Sequence, residues 1–448
     1  MTLKENVLLK SIILLLISIT FFLGYFLREN SAGGGKEFYE LSWPIIQSFK
    51  EDFLYTIKNY GKFRDFTIPF SHILNAYLNP FSDNIKSFQL FNTFISFSIL
   101  FIFTLAIKKY FINIKSIDLL ITSSVLLLLP FFRTSAFWGK NENYGWLFLI
   151  LAIFFFIEIK KNLTSNPNRK DLINIILFCF LSSCALYARQ ALVFLPISYL
   201  LYLFIYKANK KIILVSIVSF IVFALPSLYL ISIWGNVFDT RSLGPGNFFG
   251  WWINPNHILK NIPILFSYFG FYLLPFLIIE IFDSGFKNFY YKYFKSFLLS
   301  FVAFIILSFS GLLSYLGDYT IAGGGILKLN YLIQKNNYFL LLIFSSIGIS
   351  IFVRLFLDDR KNNLIFLIPM ILIYCFPKLL YQEYFEPLIL ILFFLVLNTD
   401  IKKVFFKNIS LSNLVFLSYF AIYLISSIYF KHFAFDTYEK WLLFLKAS

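Results

Sequence analysis

Cysteine, histidine and methionine are nearly absent from this chain, at three, three and two in 448 residues. Cys179, Cys184 and Cys375 all fall inside apolar runs, so they frame neither a disulfide scaffold nor a zinc site. His72, His257 and His432 are far apart in sequence, which argues against a histidine–cysteine metal cluster. No metal is expected. Charged residues make up only 14%, against about 25% in an ordinary globular domain. The signatures of soluble nucleotide and hydrolase chemistry are missing as well: no P-loop, no G-x-S-x-G, no H-E-x-x-H and no dinucleotide fingerprint. No cofactor is expected.

What fills the chain is apolar. Hydrophobic residues are 59% and aromatics 22%, with a mean hydropathy of +0.76. They come in blocks such as "VLLKSIILLLISITFFLGYF" and "FLLSFVAFIILSFSGLLSYL", which match the roughly 20 residues needed to cross a bilayer as helix. This composition is that of an all-α, polytopic membrane protein. The first block has no small-residue cleavage site behind it and reads as a retained helix. About thirteen spans follow from the blocks, near 7–27, 88–107, 117–132, 143–159, 171–188, 191–206, 212–234, 259–281, 296–316, 337–357, 362–376, 386–400 and 413–430. They make residues 1–448 a single integral membrane domain.

The net charge of +16 does not point to nucleic acid, because the lysines sit in short loops between apolar blocks. With the amino terminus in the cytoplasm, "KKYFINIK", "KANKK", "KNFYYKYFK" and "KKVFFK" become cytoplasmic loops. The other loops are longer and richer in aromatics, notably the first outer loop (28–87) and a late one (317–336). Long irregular segments in compact proteins are usually functional. Glu37, Glu40, Asp65, Glu142, Asp239, Asp318, Glu383 and Glu386 all fall on that outer side. Each alone reads as a solvated loop charge. Glu142, Arg189, Glu383 and Glu386 stand out because they sit at span edges among apolar residues, where ionisable groups are costly.

Within the first outer loop, Ile45, Ile46, Phe49, Phe53, Leu54 and Ile57 recur at roughly helical spacing. That spacing predicts an amphipathic helix lying on the membrane surface, with Ser42 as N-cap and Pro44 in its first turn. "RDFTIPFSHIL" predicts a second short helix. One of the flanking carboxylates can act as general base if it comes within about 2.6–3.2 Å of an acceptor hydroxyl. An ordinary surface helix with acidic flanks fits the same residues. The tetrapeptide AGGG occurs twice, in "SAGGGKEFYE" (31–40) and "TIAGGGILKL" (320–329). Glycine runs permit φ > 0 and close approach of a ligand. The two copies are either flexible turns or two walls of one outer cavity.

Several stretches carry a family likeness. "KEFYEL" (36–41) is similar to D-E-I-F-H-L, "RDFTIP" (64–69) to W-D-P-x-I-T, and "NENYGW" (141–146) to Y-T-E-A-G. "YARQALVFLP" (187–196) is similar to F-R-Q-T-N, "VFDTRS" (237–242) to I-G-D-R-S, and "FPKLLYQEYFEPL" (376–388) to P-Q-K-L-L-E-F-R-Y-F-I-L-P. In this order they make the chain resemble the GT-C superfamily of polyprenyl-phosphate-sugar-dependent glycosyltransferases. Within that superfamily they resemble the α-1,2-glucosyltransferase family that adds the terminal glucose to the N-glycan lipid precursor. Two departures stand out. The family's acidic pair becomes Lys36-Glu37, and its A-D-N-R-H-Y stretch aligns with "IAGGGILKLNY", where Lys328 is the remaining cation.

The resemblance implies transfer of a hexose from a polyprenyl monophosphate to a hydroxyl of a lipid-linked or surface glycan. It implies Glu37 as base, with Glu40 and Asp65 positioning the acceptor. For the donor phosphate it implies Arg189 with Gln190, then Arg241, Lys378 and Lys328. For sugar or acceptor it implies Glu142, Asp239, Glu383 and Trp138, with holding Arg189 as the other role for Glu142. Without the resemblance, Arg189 reads as an interfacial snorkelling arginine, and Trp138, Trp251 and Trp252 as interfacial anchors. The expected partners are membrane lipid, the lipid-phosphate donor and a glycan. The competing readings are a flippase for lipid-linked sugars, although no internal repeat is evident, and a glycan polymerase or ligase. High Phe, Ile, Lys and Asn content points to an AT-rich genome, and the compact loops point to a bacterium. The expected location is therefore a bacterial inner membrane, with the site on its periplasmic or extracellular face.

Overall fold

A computed structural model describes residues 3–63, 67–234, 256–309, 326, 339–377 and 380–433. Every regular element among them is helical. The chain divides into two compact units, Met1–Pro245 with Phe420–Ser448, and Gly246–Tyr419.

In the first unit, α1 (Leu3–Phe26) leads into the long loop, and that loop is itself helical. A short turn (Gly35–Glu37) and a π turn (Phe38–Ser42) run into α2 (Trp43–Glu51), α3 (Phe53–Lys58) and α4 (Phe70–Tyr77). Then come α5 (Ile85–Tyr110), α6 (Ser116–Ser123), α7 (Pro130–Phe137), α8 (Asn141–Lys161), α9 (Arg169–Ala188), α10 (Phe194–Ile205) and α11 (Lys210–Trp234). Local chemistry sets their ends. Asn84 caps α5 by accepting from the Ser87 amide, and Lys108 and Lys109 complement the dipole at its other end. Asn168 and Asp171 form a capping box on α9. Pro130 opens α7 after an extended Leu129, so the expected span 117–132 is broken, with a 73° bend between Ser116–Leu128 and Pro130–Phe137.

The single surface helix expected after Ser42 is two helices. Asp52 takes an extended conformation (φ −152°, ψ 106°), and its carboxylate accepts from the Tyr55 amide, capping α3. The cap interrupts the apolar period. Ser42 makes no side-chain cap, because the π turn already supplies helical backbone ahead of α2. The apolar face divides: Ile45, Ile46, Phe49 and Ile57 are buried in the protein, whereas Phe53 and Leu54 at the start of α3 are exposed. Tyr77 of α4 donates its hydroxyl to the Phe49 carbonyl at 2.6 Å.

The second unit holds α12 (Asn256–Phe309), broken at Gly285, then α13 (Phe339–Asp358), α14 (Arg360–Cys375), α15 (Leu388–Leu395), α16 (Asp400–Lys407) and the start of α17 (Ile409–His432). Helices α12 and α13 touch backbone to backbone. A Cβ placed on Gly270 would sit on the Phe344 carbonyl, and one on Gly348 on the Phe266 carbonyl. Small residues at helix crossings allow this approach. The expected span 386–400 is helical only over the eight buried residues of α15. The backbone then leaves the helix, with the Val396 and Asn398 carbonyls accepting from the buried Asn362 and Asn363 amides at 3.0 and 2.7 Å.

Nine helices among the described residues are long and apolar enough to cross a membrane, ten if the bent pair counts as one span. The helix over Gln190–Ile205 is apolar but shorter. On α1 and α11, large apolar side chains such as Leu8, Leu15, Leu214 and Ile221 are exposed. In an integral membrane protein these faces meet lipid, not water.

Candidate functional site

The first AGGG turn follows α1. Gly33 and Gly34 both hold positive φ, +89° and +102°, a region L-residues enter at a cost of roughly 1–2 kcal/mol. Asn30 holds the turn together. Its carbonyl accepts from the Gly33 amide at 2.9 Å and its side-chain oxygen from the Gly35 amide at 3.2 Å. The Asn30 amide in turn donates to His432 Nε2 at 3.1 Å. A Cβ on Gly34 would come 3.0 Å from the Lys140 side chain, and one on Gly35 would come 3.1 Å from the Trp138 ring. The bare backbone is therefore what lets the turn lie against the Trp138–Lys140 segment between α7 and α8.

Besides the exposed Lys36–Glu40 pair, three carboxylate–cation pairs occur around this turn, and graded exposure separates their roles. The innermost is Glu29–Arg133, with side chains 6% and 2% exposed. Arg133 Nε donates to both Glu29 oxygens at 3.0 Å, Nη2 to Glu29 at 2.5 Å and to the Thr20 carbonyl at 2.8 Å, and Nη1 to the Leu127 carbonyl at 2.9 Å. Every arm of that guanidinium is engaged inside the protein, so the pair is structural.

The second pair, Glu142–Arg189, joins the start of α8 to the residue after α9 and is 22% and 9% exposed. Arg189 Nη1 stands 3.9 Å from Glu142 Oε1, beyond hydrogen-bond length. The guanidinium carbon lies 4.9 Å from the centre of the Trp146 ring, a cation–π arrangement. Ser135 Oγ donates to the other Glu142 oxygen at 3.4 Å, and Lys140 is a further cation acting on Glu142. Arg189 is thus a buried, stacked cation and not a snorkelling one.

The third pair, the most open of the three, is Glu37–Lys140 at 2.8 Å, with Glu37 53% exposed and Lys140 13%. Lys140 therefore carries cationic character from the open carboxylate towards Glu142. Next to it, Asn141 Nδ2 donates to Thr67 Oγ1 at 3.3 Å, tying the long loop to the start of α8.

The remaining expected residues divide sharply. Trp138 is buried, its indole N–H donating to the Glu29 carbonyl at 3.1 Å while Phe38 and Tyr39 pack on its ring. In this structure the indole therefore packs against the turn, its N–H taken up by the Glu29 carbonyl. Glu40 is exposed and pairs with Lys36 at 3.7 Å. Gln190 opens the 3-10 turn Gln190–Val193 beside Arg189. Glu383 is half-buried in the second unit, in the 3-10 turn Gln382–Tyr384. Burial and then the Glu383 carboxylate raise the neighbouring Tyr381 phenol above its ordinary value. Glu386 is buried there, accepting from the Tyr272 hydroxyl at 2.6 Å. Asp65, Asp239, Arg241, Lys328 and Lys378 lie outside the described residues, as do Asp318, Trp251, Trp252 and the second AGGG.

Glu29, Arg133 and Lys140 join the site in the structure alone. The available signal was an arginine flanked by apolar residues at 133, the kind of ionisable group that needs a buried partner. Among the described residues no three His, Cys, Asp or Glu side chains are grouped to hold a metal ion. No protein-family model, no curated protein and no solved structure matches the chain.

Proposed function

We propose that the chain is a GT-C-type membrane glycosyltransferase of about thirteen spans. It moves a hexose, glucose being the first choice, from a polyprenyl-phosphate donor to a hydroxyl of a lipid-linked or surface glycan. The site faces the periplasmic or extracellular side of a bacterial inner membrane. The observation that carries this reading is the set of paired charges around the glycine turn, with Glu37 open to solvent and two cations behind it.

In the reaction the acceptor oxygen attacks the anomeric carbon as the bond from that carbon to the phosphate oxygen breaks. The leaving group departs as polyprenyl phosphate with the bonding electrons, and configuration inverts. Glu37 takes the acceptor proton, which requires it to exchange Lys140 for the hydroxyl. Lys140 and Arg189 then turn to the phosphate, whose developing charge draws both. Arg189 suits this role because it lies stacked on Trp146 beside Glu142 and carries the planar fork that matches phosphate oxygens. Asp65 and Glu40 remain the residues proposed to position the acceptor, and Arg241, Lys328, Lys378, Asp239 and Glu383 those proposed to complete donor and sugar contacts.

The test is transfer of labelled hexose from a synthetic polyprenyl-phosphate-hexose to membranes of a strain lacking the protein. Purified wild-type protein should label glycan, and folded Glu37→Gln should not. Equal labelling by both removes Glu37 as the base.

A further inference from the structure

Away from the charged pairs, the second unit contains an apolar cavity of about 290 Å³. It is lined by Leu277 on the first half of α12, by Phe286, Tyr290, Phe294 and Phe297 on the second half, and by Ile343 and Ile347 on α13. The break at Gly285 (φ +78°, ψ 155°) creates it, because the second half of α12 starts in a new direction. Phe286, Tyr290, Phe294 and Phe297 recur at helical spacing and so present one stripe to the space.

The neighbouring stripe of the same half-helix carries Lys287, Tyr291 and Lys295, spaced four apart, and both lysines are exposed. Neither has an ion pair among the described residues, whereas the nearby Lys292 is committed to buried Glu280 at 2.7 Å and Lys407 to Asp283 at 2.8 Å. Lys287 ends one apolar segment (Asn261–Lys287), and Lys295 lies five residues into the next (Tyr290–Ser308), from where a lysine reaches a headgroup by snorkelling. Charge and apolar space therefore meet at the same place. Ligand pockets span roughly 300–1,000 Å³, so this cavity suits a segment of one hydrocarbon chain and not a whole lipid.

We infer that the Gly285 break is a binding site for one anionic membrane phospholipid, with part of an acyl chain in the cavity and the phosphate at Lys287 and Lys295. Basic pockets between membrane helices bind such headgroups. The inference does not depend on the proposed transferase activity.

Native mass spectrometry of the full-length protein, released from detergent containing equal phosphatidylglycerol and phosphatidylcholine of matched chains, tests it. Wild-type protein should retain one phosphatidylglycerol in severalfold preference over phosphatidylcholine. The pair Lys287→Ala/Lys295→Ala, both surface changes, should lose that preference. Ile347→Phe, which fills the cavity, should reduce retention of the preferred lipid with Lys287 and Lys295 intact. An exposed-lysine control, Lys403→Ala, should behave as wild type. Equal retention of both lipids by the wild type, or an undiminished preference in the double variant, overturns the inference. So does preferential retention of added polyprenyl phosphate over phosphatidylglycerol.

Discussion

Arg189 and Glu142 face each other across 3.9 Å, with the arginine laid over Trp146 and both side chains largely withdrawn from solvent. The distance distinguishes this pair from Glu29 and Arg133, which share hydrogen bonds of 3.0 Å. At that separation an oxygen of a third group can bridge the two. The Arg189 fork is oriented by stacking, so its donors keep their direction when Glu142 is not bonded. Arg189→Lys keeps the charge but loses the planar fork and the stacking on the ring. Transfer should therefore fall about 10²–10³-fold, the usual cost of removing one preorganised donor, and by more than the stability lost with the stacking explains, read at a temperature where the variant stays folded. Initial-rate assays with the polyprenyl-phosphate-hexose donor provide the measurement.

The Glu29–Arg133 pair should behave in the opposite way. Arg133→Met leaves a buried carboxylate without its partner and should destabilise the protein by about 3–5 kcal/mol. Replacing both partners, with Glu29→Leu added, should recover much of that loss, because no buried charge remains. Thermal unfolding in detergent, run as a double-mutant cycle, measures both steps.

At the glycine turn, backbone strain and side-chain contact fall on different residues. Gly33 has positive φ but open space around it, so Gly33→Ala should cost about 1–2 kcal/mol from backbone strain alone. Gly33→Asn should cost less, since asparagine visits this region more readily. Gly34→Val adds a clash with the Lys140 side chain and should disturb the Glu37–Lys140 pair as well. Its expected signature is a loss of transfer beyond what the stability loss explains, read by assaying at a temperature where the variant stays folded.

The α12–α13 crossing gives the clearest structural prediction. A methyl on Gly270 or Gly348 meets a carbonyl of the facing helix, a rigid neighbour that cannot swing aside. Gly348→Leu should therefore lower the melting temperature more than Ser346→Ala two residues earlier. Overpacking of this kind typically costs about 1–3 kcal/mol and occasionally more.

The apolar blocks made much of this architecture legible, because a bilayer demands long helical runs and the composition records that demand. Helices α1, α5, α8, α9 and α11 fall within a few residues of their expected positions. Where backbone chemistry competes with apolar period, the period misleads. Asp52 caps a new helix in the middle of the amphipathic run, and Pro130 bends a span that hydropathy leaves straight. The charged pairs were legible unequally. Glu142 and Arg189 are both visible as ionisable groups at apolar borders and pair with each other, but Glu37 meets Lys140 and Glu29 meets Arg133 across about a hundred residues of chain. Trp138 looked like an interfacial or sugar-stacking ring for the same reason: its partner, the Glu29 carbonyl, is a backbone atom with no sequence signature.

The proposed hexose transfer with Glu37 as base is tested most directly in the cell. Lipid-linked and surface glycans from the source cell, with and without the protein, are compared by mass spectrometry, with complementation by wild type and by Glu37→Gln. Transfer predicts glycans lighter by one hexose in the deletion strain, restored by wild type and not by the variant. Glycans of unchanged composition, or a complete lipid-linked glycan trapped on the cytoplasmic face, would contradict transfer; the trapped glycan would point to a flippase.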